Sequence, residues 1–203
     1  MRFEELEELH YITPIANMKS ICQIGILSHH EAGKIPHNSV AMDEIQERRK
    51  KVVVPGLTGN RPLHHYVNLY FHARNPMMFK RKDLHQELCV IKVIKDVLNL
   101  SEVIITDGNA SSDYVRFYPV TEGLKVLDKE LIFARYWHHD DPIQKFRHAF
   151  IKCAEVLVPD KVSKDFFLGA YVSCNESKVK LYDIISEVEP DFSIIVNPDL
   201  FFQ

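Results

Sequence analysis

The chain has 203 residues, of which 46% are hydrophobic and 26% are charged, and its formal net charge at pH 7 is −3. This length and composition are typical of a globular protein with one packed core, so we expect a single domain spanning residues 1–203. The slight negative charge excludes a protein coated in positive charge, but it permits a local basic groove.

The cysteines and the N-terminus indicate a reducing compartment. The four cysteines lie far apart in apolar segments and form no CxxC pair, so we expect buried free thiols at Cys22, Cys89, Cys153 and Cys174. The first residues, MRFEELEELHYIT, are acidic and lack the pattern of a secretory signal. No apolar run approaches the roughly 18 residues of a membrane helix. The sequence therefore predicts a soluble cytoplasmic protein with no membrane association.

The first predicted elements are a strand and a helix that follows it directly. Residues 9–15, LHYITPI, are β-prone and end near Pro14, and Asn17 is placed to cap a helix that Gly25 ends. The unpaired N–H groups at such a helix start favour an anion. On these residues alone, an anion site and a plain strand-to-helix connection both stay open.

A basic helix is predicted after an irregular segment. Residues 29–40 have no hydrophobic periodicity and predict an exposed loop, and a helix begins at Asp43. The run RRKK at positions 48–51 ends this helix, where cations stabilise the helix dipole. The alternative is that one arginine turns inward and binds a phosphate with two N–H groups.

Short strands and turns are predicted in the middle of the chain. Residues 54–62 are rich in turn formers and predict a second loop. Residues 88–94 are almost continuously apolar and predict a central strand. Further strands are predicted at 66–73, 103–106 and 115–118, a turn or mobile loop at 107–112, and a short amphipathic helix at 123–133.

One acid lies inside an apolar strand. Asp140 is predicted to cap a helix with Pro142 near its first position, and the strand that follows holds Glu155 between Ala154 and Val156. A carboxylate is costly to bury unless another group pairs with it or uses it. Glu155 is therefore either a functional acid or a strand-edge residue that faces water or pairs with an arginine.

The last predicted elements complete a mixed pattern. Strands are expected at 166–173 and 192–196, separated by a helix that Asn175 caps and that extends through residue 188. About seven short strands and four or five helices alternate irregularly along the chain. This pattern favours an α+β fold over a doubly wound sheet.

Several catalytic motifs are missing from the sequence. It contains no GxGxxG, GxxxxGK[ST], HExxH or GxSxG. Three histidine doublets lie at 29/30, 64/65 and 138/139, but adjacent residues on a strand point to opposite faces and chelate poorly. We therefore expect no metal site. A serine or cysteine nucleophile has no support either.

Four segments together carry a resemblance to a known family. They are HYITPIANMKSICQIGILSH, IQERRKKVVVP, LHHYVNLYFHARNPMMF and CAEVLVP, in this order and spacing. Over about residues 9–160 the chain resembles DarT, the DNA ADP-ribosyltransferase toxins of bacterial toxin–antitoxin systems. The resemblance implies a compact single-domain α+β fold of the ADP-ribosyltransferase type, with short mixed or antiparallel strands and peripheral helices. It also implies that NAD+ is the substrate and that the reaction requires no metal ion.

The same resemblance assigns residues to roles. The family's catalytic arginine matches Arg49 and its catalytic glutamate matches Glu155. Residues 33–51 would close over NAD+, and residues 114–155 would form the substrate loop that leads to the acid. The first strand and helix would bind NAD+ through Tyr11, Ile12, Thr13, Asn17 and Ser20.

One position departs from the family pattern. Some members have a histidine before Ile-Thr, whereas this chain has Tyr11 there and His10 one place earlier. Neighbouring strand residues face opposite ways, so His10 is not a simple replacement. Tyr11 can stack on nicotinamide and donate a hydrogen bond. Which of His10 and Tyr11 contacts NAD+ stays open at this point.

The expected chemistry is compatible with these residues. Loss of nicotinamide from NAD+ leaves an oxocarbenium-like ribose, which the carboxylate of Glu155 can stabilise, and the guanidinium of Arg49 suits the diphosphate. Single-strand grooves combine aromatic rings with cations. The candidate DNA-binding residues, for which core aromatics and surface arginines are the alternative, are Tyr70, Arg74, Arg116, Tyr136 and Trp137.

Three hypotheses of function remain from the sequence. The leading one is a toxin enzyme that transfers ADP-ribose from NAD+ to thymidine or guanosine of single-stranded DNA. The second is a catalytically inactive single-stranded nucleic-acid-binding module with the same fold, and the third is the same chemistry on RNA or protein. We expect a monomer. The resemblance implies a cognate antitoxin, which would be a macrodomain or similar ADP-ribosyl hydrolase.

Overall fold

The computed structural model describes residues 1–37, 43–56, 59–189 and 191–202, and these ranges contain twelve strands and eight α-helices. The strands are β1 (Glu8–Pro14), β2 (Ile26–Leu27), β3 (Val53–Gly56), β4 (Gly59–Pro62), β5 (Tyr66–Tyr70), β6 (Leu88–Ile94), β7 (Ile104–Thr106), β8 (Phe117–Pro119), β9 (Glu155–Pro159), β10 (Lys161–Val162), β11 (Phe167–Val172) and β12 (Ile194–Val196). The helices are α1 (Met18–Ile24), α2 (His29–Ala32), α3 (Asp43–Lys51), α4 (Pro76–Lys80), α5 (Val120–Val126), α6 (Lys129–Phe133), α7 (Pro142–Ile151) and α8 (Asn175–Ile185). None of the helices in these ranges combines the length and the apolar composition that crossing a bilayer requires.

Eight of the strands form one sheet, in the order β12–β11–β6–β1–β5–β9–β7–β8. Every pair of neighbours in it is antiparallel except β11 and β12, which are parallel. Two small two-stranded sheets, β2 with β10 and β3 with β4, lie beside it. The expected α+β fold with short, mainly antiparallel strands is confirmed. That residues 1–203 form one domain stays a prediction.

The sheet is covered on both faces, which explains why most side chains of its inner strands are apolar. In β6, Cys89, Ile91 and Val93 pack into a large cluster with α1, α5, α6 and α8, whereas Leu88 and Val90 pack on the other face. The second face carries α4, the C-terminal residues and the β3–β4 hairpin. Full burial of one such side chain stabilises the fold by about 1.5–3 kcal/mol. The strand alternation therefore decides which side chains of β1, β5 and β9 face which layer.

Two of the predicted loops are wrong in part. Residues 29–32 form α2, which Ser28 caps by accepting the N–H of Glu31, and residues 38–40 of that predicted loop lie outside the described residues. Residues 53–56 and 59–62 pair as the β3–β4 hairpin, with Gly56 opposite Gly59, and residues 57–58 of that predicted loop lie outside the described residues. The turn formers of this segment lie within the paired strands, Pro55 and Gly56 in β3 and Gly59, Asn60 and Pro62 in β4.

The helix boundaries also differ from the predictions by small steps. Asp141, not Asp140, caps α7 with Pro142 at the first helical position, and Cys174, not Asn175, precedes α8. Asn17 precedes α1 but its side chain makes no capping hydrogen bond. Residues 120–133 form two helices, α5 and α6, instead of one. Gly25 ends α1 at φ +85°, as predicted, and a Cβ there would lie 2.4 Å from the carbonyl oxygen of Val162.

The four cysteines are free thiols. Three of them are buried, as expected, whereas Cys174 is half-buried because it lies at the start of α8. Burial holds the pKa of the Cys153 thiol at about 12, well above its usual value, so this thiol stays protonated near neutral pH. A cysteine nucleophile therefore gains no support from the fold.

Candidate active site

A cleft opens where the sheet separates into two halves. β1 pairs with β6 along its whole length, but it pairs with β5 only at His10 and Tyr70. Beyond that position, residues 11–14 of β1 and residues 66–70 of β5 line opposite walls of the cleft. Residues of α1, α2, α3 and α4 also line it. Backbone groups on such separated edges can bond a ligand where a sheet would bond its next strand.

One row of side chains crosses the sheet beside this cleft. His10 of β1 lies opposite Tyr70 of β5, and Tyr70 lies opposite Glu155 of β9. Residues directly opposite each other in a sheet project from the same face. Glu155 therefore projects toward the face that carries α3 and α4, and its neighbour Val156 projects into the large core cluster.

Glu155 forms a buried, two-pronged ion pair with Arg49 of α3. Arg49 Nη1 lies 3.2 Å from both carboxylate oxygens, and Nη2 lies 3.1 Å from Oε2. The carboxylate also accepts the backbone N–H of Ala110 at 3.1 Å. Glu155 is 1% exposed and Arg49 is 7% exposed. The sequence left open whether Glu155 pairs with an arginine, and the structure shows that it does.

The pair adjoins the cleft through the arginine. Arg49 lines the cleft and the carboxylate lies directly behind it. Burial lowers the pKa of Arg49, but the charge of Glu155, its hydrogen bonds and the charge of Tyr70 together outweigh burial, so the net pKa is raised. Burial, and then the same carboxylate, raise the pKa of Tyr70 well above its usual value. Arg49 stays charged and Tyr70 stays a neutral hydrogen-bond donor across the physiological range.

A tight turn fixes the position of Glu155. The buried hydroxyl of Thr106 accepts the N–H of Glu155 at 2.9 Å and donates to the carbonyl oxygen of Gly108 at 2.7 Å. This holds the turn in which Ala110 aims its N–H at the carboxylate. The turn also bonds to α7, because Asn109 donates its N–H to the carbonyl oxygen of Phe150 at 3.2 Å. The predicted turn or mobile loop at 107–112 is thus a hydrogen-bonded turn that forms part of the site.

Sequence reasoning missed Thr106 and Ala110. The only local signal was a threonine at a strand end, followed by the turn-forming run Asp-Gly-Asn. Ala110 acts through its backbone N–H, which every residue except proline has, so its residue type gave no signal. Other cleft residues were not singled out, among them Tyr66, Asn68 and Cys153, whereas Gln46 lies in the 33–51 segment that the resemblance expects to close over NAD+.

The residues predicted to bind NAD+ fall into two groups. Five of them line the cleft: Tyr11, Ile12, Thr13, Asn17 and Ser20. His10 is not among the lining residues; its Nδ1 accepts the N–H of Ala73 at 2.9 Å and its Nε2 lies 3.0 Å from Glu8 Oε1. The ring of His10 therefore ties β1 to the end of β5. Burial raises the pKa of Tyr11 to about 12, so its hydroxyl remains protonated.

The residues predicted to bind DNA do not lie together. Tyr70 lines the cleft, and Arg116 lies on an open groove beyond the 107–116 loop. Arg74 donates to the carbonyl oxygens of Arg135, Asp199 and Phe201 at 2.8–3.2 Å. Its guanidinium thus bonds the C-terminal residues to the rest of the protein.

Two aromatic members of the predicted DNA-binding set lie near Arg74. Trp137 packs edge-on against Phe79 and Phe202, with ring centroids 6.0 and 5.7 Å away. Tyr136 is 64% exposed, and its ring lies 5.8 Å from the guanidinium carbon of Arg74. Trp137 is half-buried among these rings and Tyr136 is exposed, and DNA binding by either residue stays a prediction.

Two histidine doublets pair with each other. The ring of His29 lies 4.2 Å from that of His64, and the ring of His30 lies 4.0 Å from that of His65, so α2 is joined to the turn before β5. Burial, followed by the charge of His29, lowers the pKa of His64 to about 4. No group of three or more side chains able to hold a metal ion occurs among the residues that the structure describes.

Comparison with known families gives a match over almost the whole chain. Residues 10–202 match a family model described as "DarT: ssDNA thymidine ADP-ribosyltransferase, DarT". A protein of Thermosipho africanus (strain H17ap60334), described as a "DNA ADP-ribosyl transferase-DNA ADP-ribosyl glycohydrolase fusion protein", is 31% identical over 208 residues. That match covers 98% of this chain and 50% of the relative, so the chain spans about half the length of that relative.

Solved structures share the fold. The structure described as "Thermosipho africanus DarTG in complex with ADP-ribose" matches with a TM-score of 0.84 and 30% identity, covering 97% of this chain and 51% of that one. The structure described as "Thermus sp. 2.9 DarT in complex with ADP-ribosylated ssDNA" also has a TM-score of 0.84, at 24% identity, with 98% and 97% of the two chains covered. At that lower identity the second likeness concerns the fold alone.

Proposed function

The chain belongs to the DarT family, and on that premise we propose that it transfers ADP-ribose from NAD+ to a thymidine base of single-stranded DNA and releases nicotinamide. One observation carries this proposal. Arg49 and Glu155 are 106 residues apart in sequence, yet they form a buried ion pair at the wall of the cleft that separates β1 from β5. The two residues that the family resemblance assigns to catalysis are therefore adjacent to each other and to a ligand-sized opening.

The cleft has the groups that a dinucleotide requires. Side chains that can donate hydrogen bonds line it, including Tyr11, Asn17 and Ser20, and Arg49 and Arg81 supply positive charge for a diphosphate. Gln46 Oε1 is buried in the cleft wall with no hydrogen-bond partner among the described residues. A buried acceptor without a partner costs about 1–3 kcal/mol, and a hydroxyl of a bound ribose can remove that cost. We propose that Tyr11 contacts NAD+, whereas His10 supports β1 from behind.

Charge stabilisation by Glu155 accounts for the chemistry. The glycosidic electrons leave with nicotinamide, the ribose carbon becomes positive, and the acceptor base then bonds to it through a nitrogen that gives its proton to the Glu155 carboxylate. A carboxylate about 4 Å from that carbon stabilises the charge by about 4 kcal/mol at an effective dielectric constant near 20. This corresponds to a rate increase of about 1000-fold. Because Arg49 covers Glu155 in the structure, we propose that the diphosphate draws the guanidinium aside and exposes the acid to the ribose.

The mass of a modified oligonucleotide tests this function. Purified protein, NAD+ and a thymidine-containing single strand should give a product heavier by one ADP-ribose, with release of nicotinamide. Glu155→Gln should reduce the rate by about 1000-fold. The matched control is Glu122→Gln, which makes the same change at an exposed position of α5 and should keep wild-type activity.

Three results would contradict the proposal. Single strands that stay unmodified over all four bases and varied contexts would reject DNA as substrate. Salt-sensitive binding without NAD+ turnover would favour the inactive binding module instead. Modification of guanosine, RNA or protein in place of thymidine would support ADP-ribose transfer but show that thymidine is not the acceptor.

The partner of the enzyme follows from the same chemistry. The Thermosipho africanus relative carries a glycohydrolase in the same polypeptide as its transferase. We propose that the present chain acts as the toxin of a pair, as one cytoplasmic monomeric unit, and that a macrodomain or similar hydrolase removes the ADP-ribose it adds. Incubation of the modified oligonucleotide with such a hydrolase should restore the original mass.

A further inference from the structure

One short helix supplies much of one wall of the active-site cleft. Pro76, Met77 and Lys80 of α4 line the cleft, and so does Arg81, the residue that ends this helix. Lys80 and Arg81 add two positive charges to that wall. A helix of five residues is too short to be stable by itself. The position of these side chains therefore depends on the contacts that hold α4 from outside the cleft.

A buried asparagine fixes the start of α4. Oδ1 of Asn75 accepts the backbone N–H groups of Met77 and Met78 at 3.0 and 3.1 Å, and its Nδ2 donates to the carbonyl oxygen of His72 at 3.0 Å. Asn75 is 0% exposed, so water does not compete for these bonds. Arg74, the residue before it, lies outside the set of described residues that line the cleft. The turn that starts α4 therefore also carries Arg74.

Residues 198–202 pack against the side of α4 that does not line the cleft. Leu200 and Phe201 are buried in one cluster with α4. The same cluster contains Ile12 and Tyr70, which line the cleft from β1 and β5. The 198–202 segment therefore supports α4 and two strands of the cleft together.

Ring contacts extend this support along α4. The ring of Phe79, on α4, is edge-on to that of Phe202, with the centroids 5.1 Å apart. Trp137 completes the group, with its ring 6.0 Å from Phe79 and 5.7 Å from Phe202. Edge-on aromatic rings with centroids about 4.5–7 Å apart attract each other beyond the effect of the area that they bury. Phe202 takes part in two of these three contacts, so its ring joins the 198–202 segment to α4.

Arg74 bonds the 198–202 segment to the turn that starts α4. Its Nη1 donates to the carbonyl oxygens of Asp199 and Phe201, both at 2.8 Å, and its Nε donates to that of Arg135 at 3.2 Å. Its guanidinium carbon lies 4.0 Å from the centroid of the Phe202 ring. A planar guanidinium presents several N–H groups in fixed directions, which an ammonium group does not. One side chain thus holds three backbone carbonyl groups and one ring in place.

We propose that Arg74 and the 198–202 segment position α4 for NAD+, so that Lys80 and Arg81 lie where the dinucleotide needs positive charge. Arg74 is a positioning residue in this proposal and does not contact NAD+ itself. The inference rests on the proposed function, because it concerns the same substrate. α4 holds parts of NAD+ whose charge does not change in the reaction, whereas Glu155 acts on the carbon that becomes positive. Loss of this support should therefore raise KM for NAD+ and leave kcat unchanged.

Two substitutions remove the support without changing a cleft residue. Phe202→Ser removes the ring, and Arg74→Gln removes the guanidinium. Arg74→Lys is the conservative variant, which keeps the charge and loses the planar arrangement of donors. The matched control is Phe192→Ser, at another half-buried phenylalanine, which packs against the large core cluster on the other face of the sheet. It should reduce the free energy of unfolding in urea as Phe202→Ser does.

Three measurements follow these variants. KM for NAD+ in transfer, and Kd for NAD+ without DNA, should both rise about tenfold in Phe202→Ser and Arg74→Gln, which is the size that one hydrogen bond to a charged group accounts for. At saturating NAD+, kcat should stay close to that of wild type, and KM of Arg74→Lys should lie between those of Arg74→Gln and wild type. Trp137 is the only tryptophan of the chain, so its fluorescence reports on the ring group and should move to longer wavelength in both variants. Phe192→Ser should keep the wild-type KM, Kd and emission.

The outcomes separate this positioning role from the proposed function. Wild-type KM and Kd for NAD+ in both variants, together with shifted Trp137 emission, would overturn the proposal, because α4 would then hold its position without the segment. An equal rise in Phe192→Ser would also overturn it, in favour of a general loss of stability. Weaker binding of the single strand by Arg74→Gln with unchanged Kd for NAD+ would assign Arg74 to DNA instead. If wild type binds NAD+ but modifies no strand, the proposed function fails, and the Kd values still decide the role of the segment.

Discussion

Replacing Thr106 with valine removes one hydroxyl and keeps the shape of the side chain. The hydroxyl accepts the N–H of Glu155 at 2.9 Å and donates to the carbonyl oxygen of Gly108 at 2.7 Å. Thr106 is 0% exposed, so water does not replace these bonds. Each buried group that loses its partner costs about 1–3 kcal/mol, and the free energy of unfolding should fall by at least about 2 kcal/mol.

The same substitution should affect transfer more than stability alone explains. Without the hydroxyl, the turn that presents the N–H of Ala110 to Glu155 loses its fixed position. A displacement of about 1 Å at a reacting group can lower a rate by about 100-fold, and we expect a loss approaching that size in kcat. The control is Thr106→Ser, which keeps the hydroxyl and loses one methyl group worth about 0.8 kcal/mol.

Urea unfolding and kcat for oligonucleotide modification measure both effects. Thr106→Val should be less stable than Thr106→Ser and far less active, while the serine variant stays close to wild type in kcat. Equal stability and equal kcat of the two variants would refute the role assigned to the hydroxyl. A stability loss without a loss of kcat would show that the turn supports the fold but not the position of the acid.

Three further predictions follow from the site. Arg49→Ala leaves the Glu155 carboxylate buried without its partner, so urea unfolding should show a loss of about 3–5 kcal/mol, whereas R49M/E155L should be close to wild type; equal losses would contradict a coupled pair. The pKa of His64 is lowered to about 4 by burial, so protonation opposes folding, and the stability that its neutral form contributes should be lost as the pH falls from about 6.5 through 4. The free energy of unfolding should change less with pH across that range for His64→Gln than for wild type. An unchanged pH dependence would show that another group titrates. A Cβ at Gly108 would lie 2.3 Å from the ring of Phe150, so Gly108→Ala should move the turn and lower transfer, and Phe150→Leu should restore part of it; wild-type transfer by Gly108→Ala alone would show that the turn tolerates the shift.

Local patterns predicted the inner strands well. Residues 88–94 were identified as a strand from a continuous apolar run, and β6 has those bounds. The predicted start of the first strand was one residue later than that of β1. Burial on both faces leaves a strong signature in sequence, because nearly every side chain of such a strand is apolar, with Lys92 as the exception in β6.

Pairing between distant segments was harder to predict. The β3–β4 hairpin has the composition of a loop, and its strands exist because residues 53–56 and 59–62 bond to each other. Cap positions shifted by one residue, since Asp140 and Asp141 are both good caps and only the path of the chain selects Asp141. These features depend on contacts that no short window contains.

The site was predicted unevenly for the same reason. Family resemblance identified Arg49 and Glu155 and five residues of the cleft, because these side chains have recognisable types in ordered segments. The residues that position the acid, Thr106 and Ala110, act through one hydroxyl and one backbone N–H. Their role depends on where the turn lies, which only the folded chain reveals.

A structure of Glu155→Gln bound to NAD+ would show directly which atoms of the dinucleotide meet residues 49 and 155. We expect the nicotinamide-bearing ribose to contact the side chain at position 155 and the guanidinium of Arg49 to have turned to the diphosphate. A dinucleotide bound elsewhere, with Arg49 still covering position 155, would contradict this expectation.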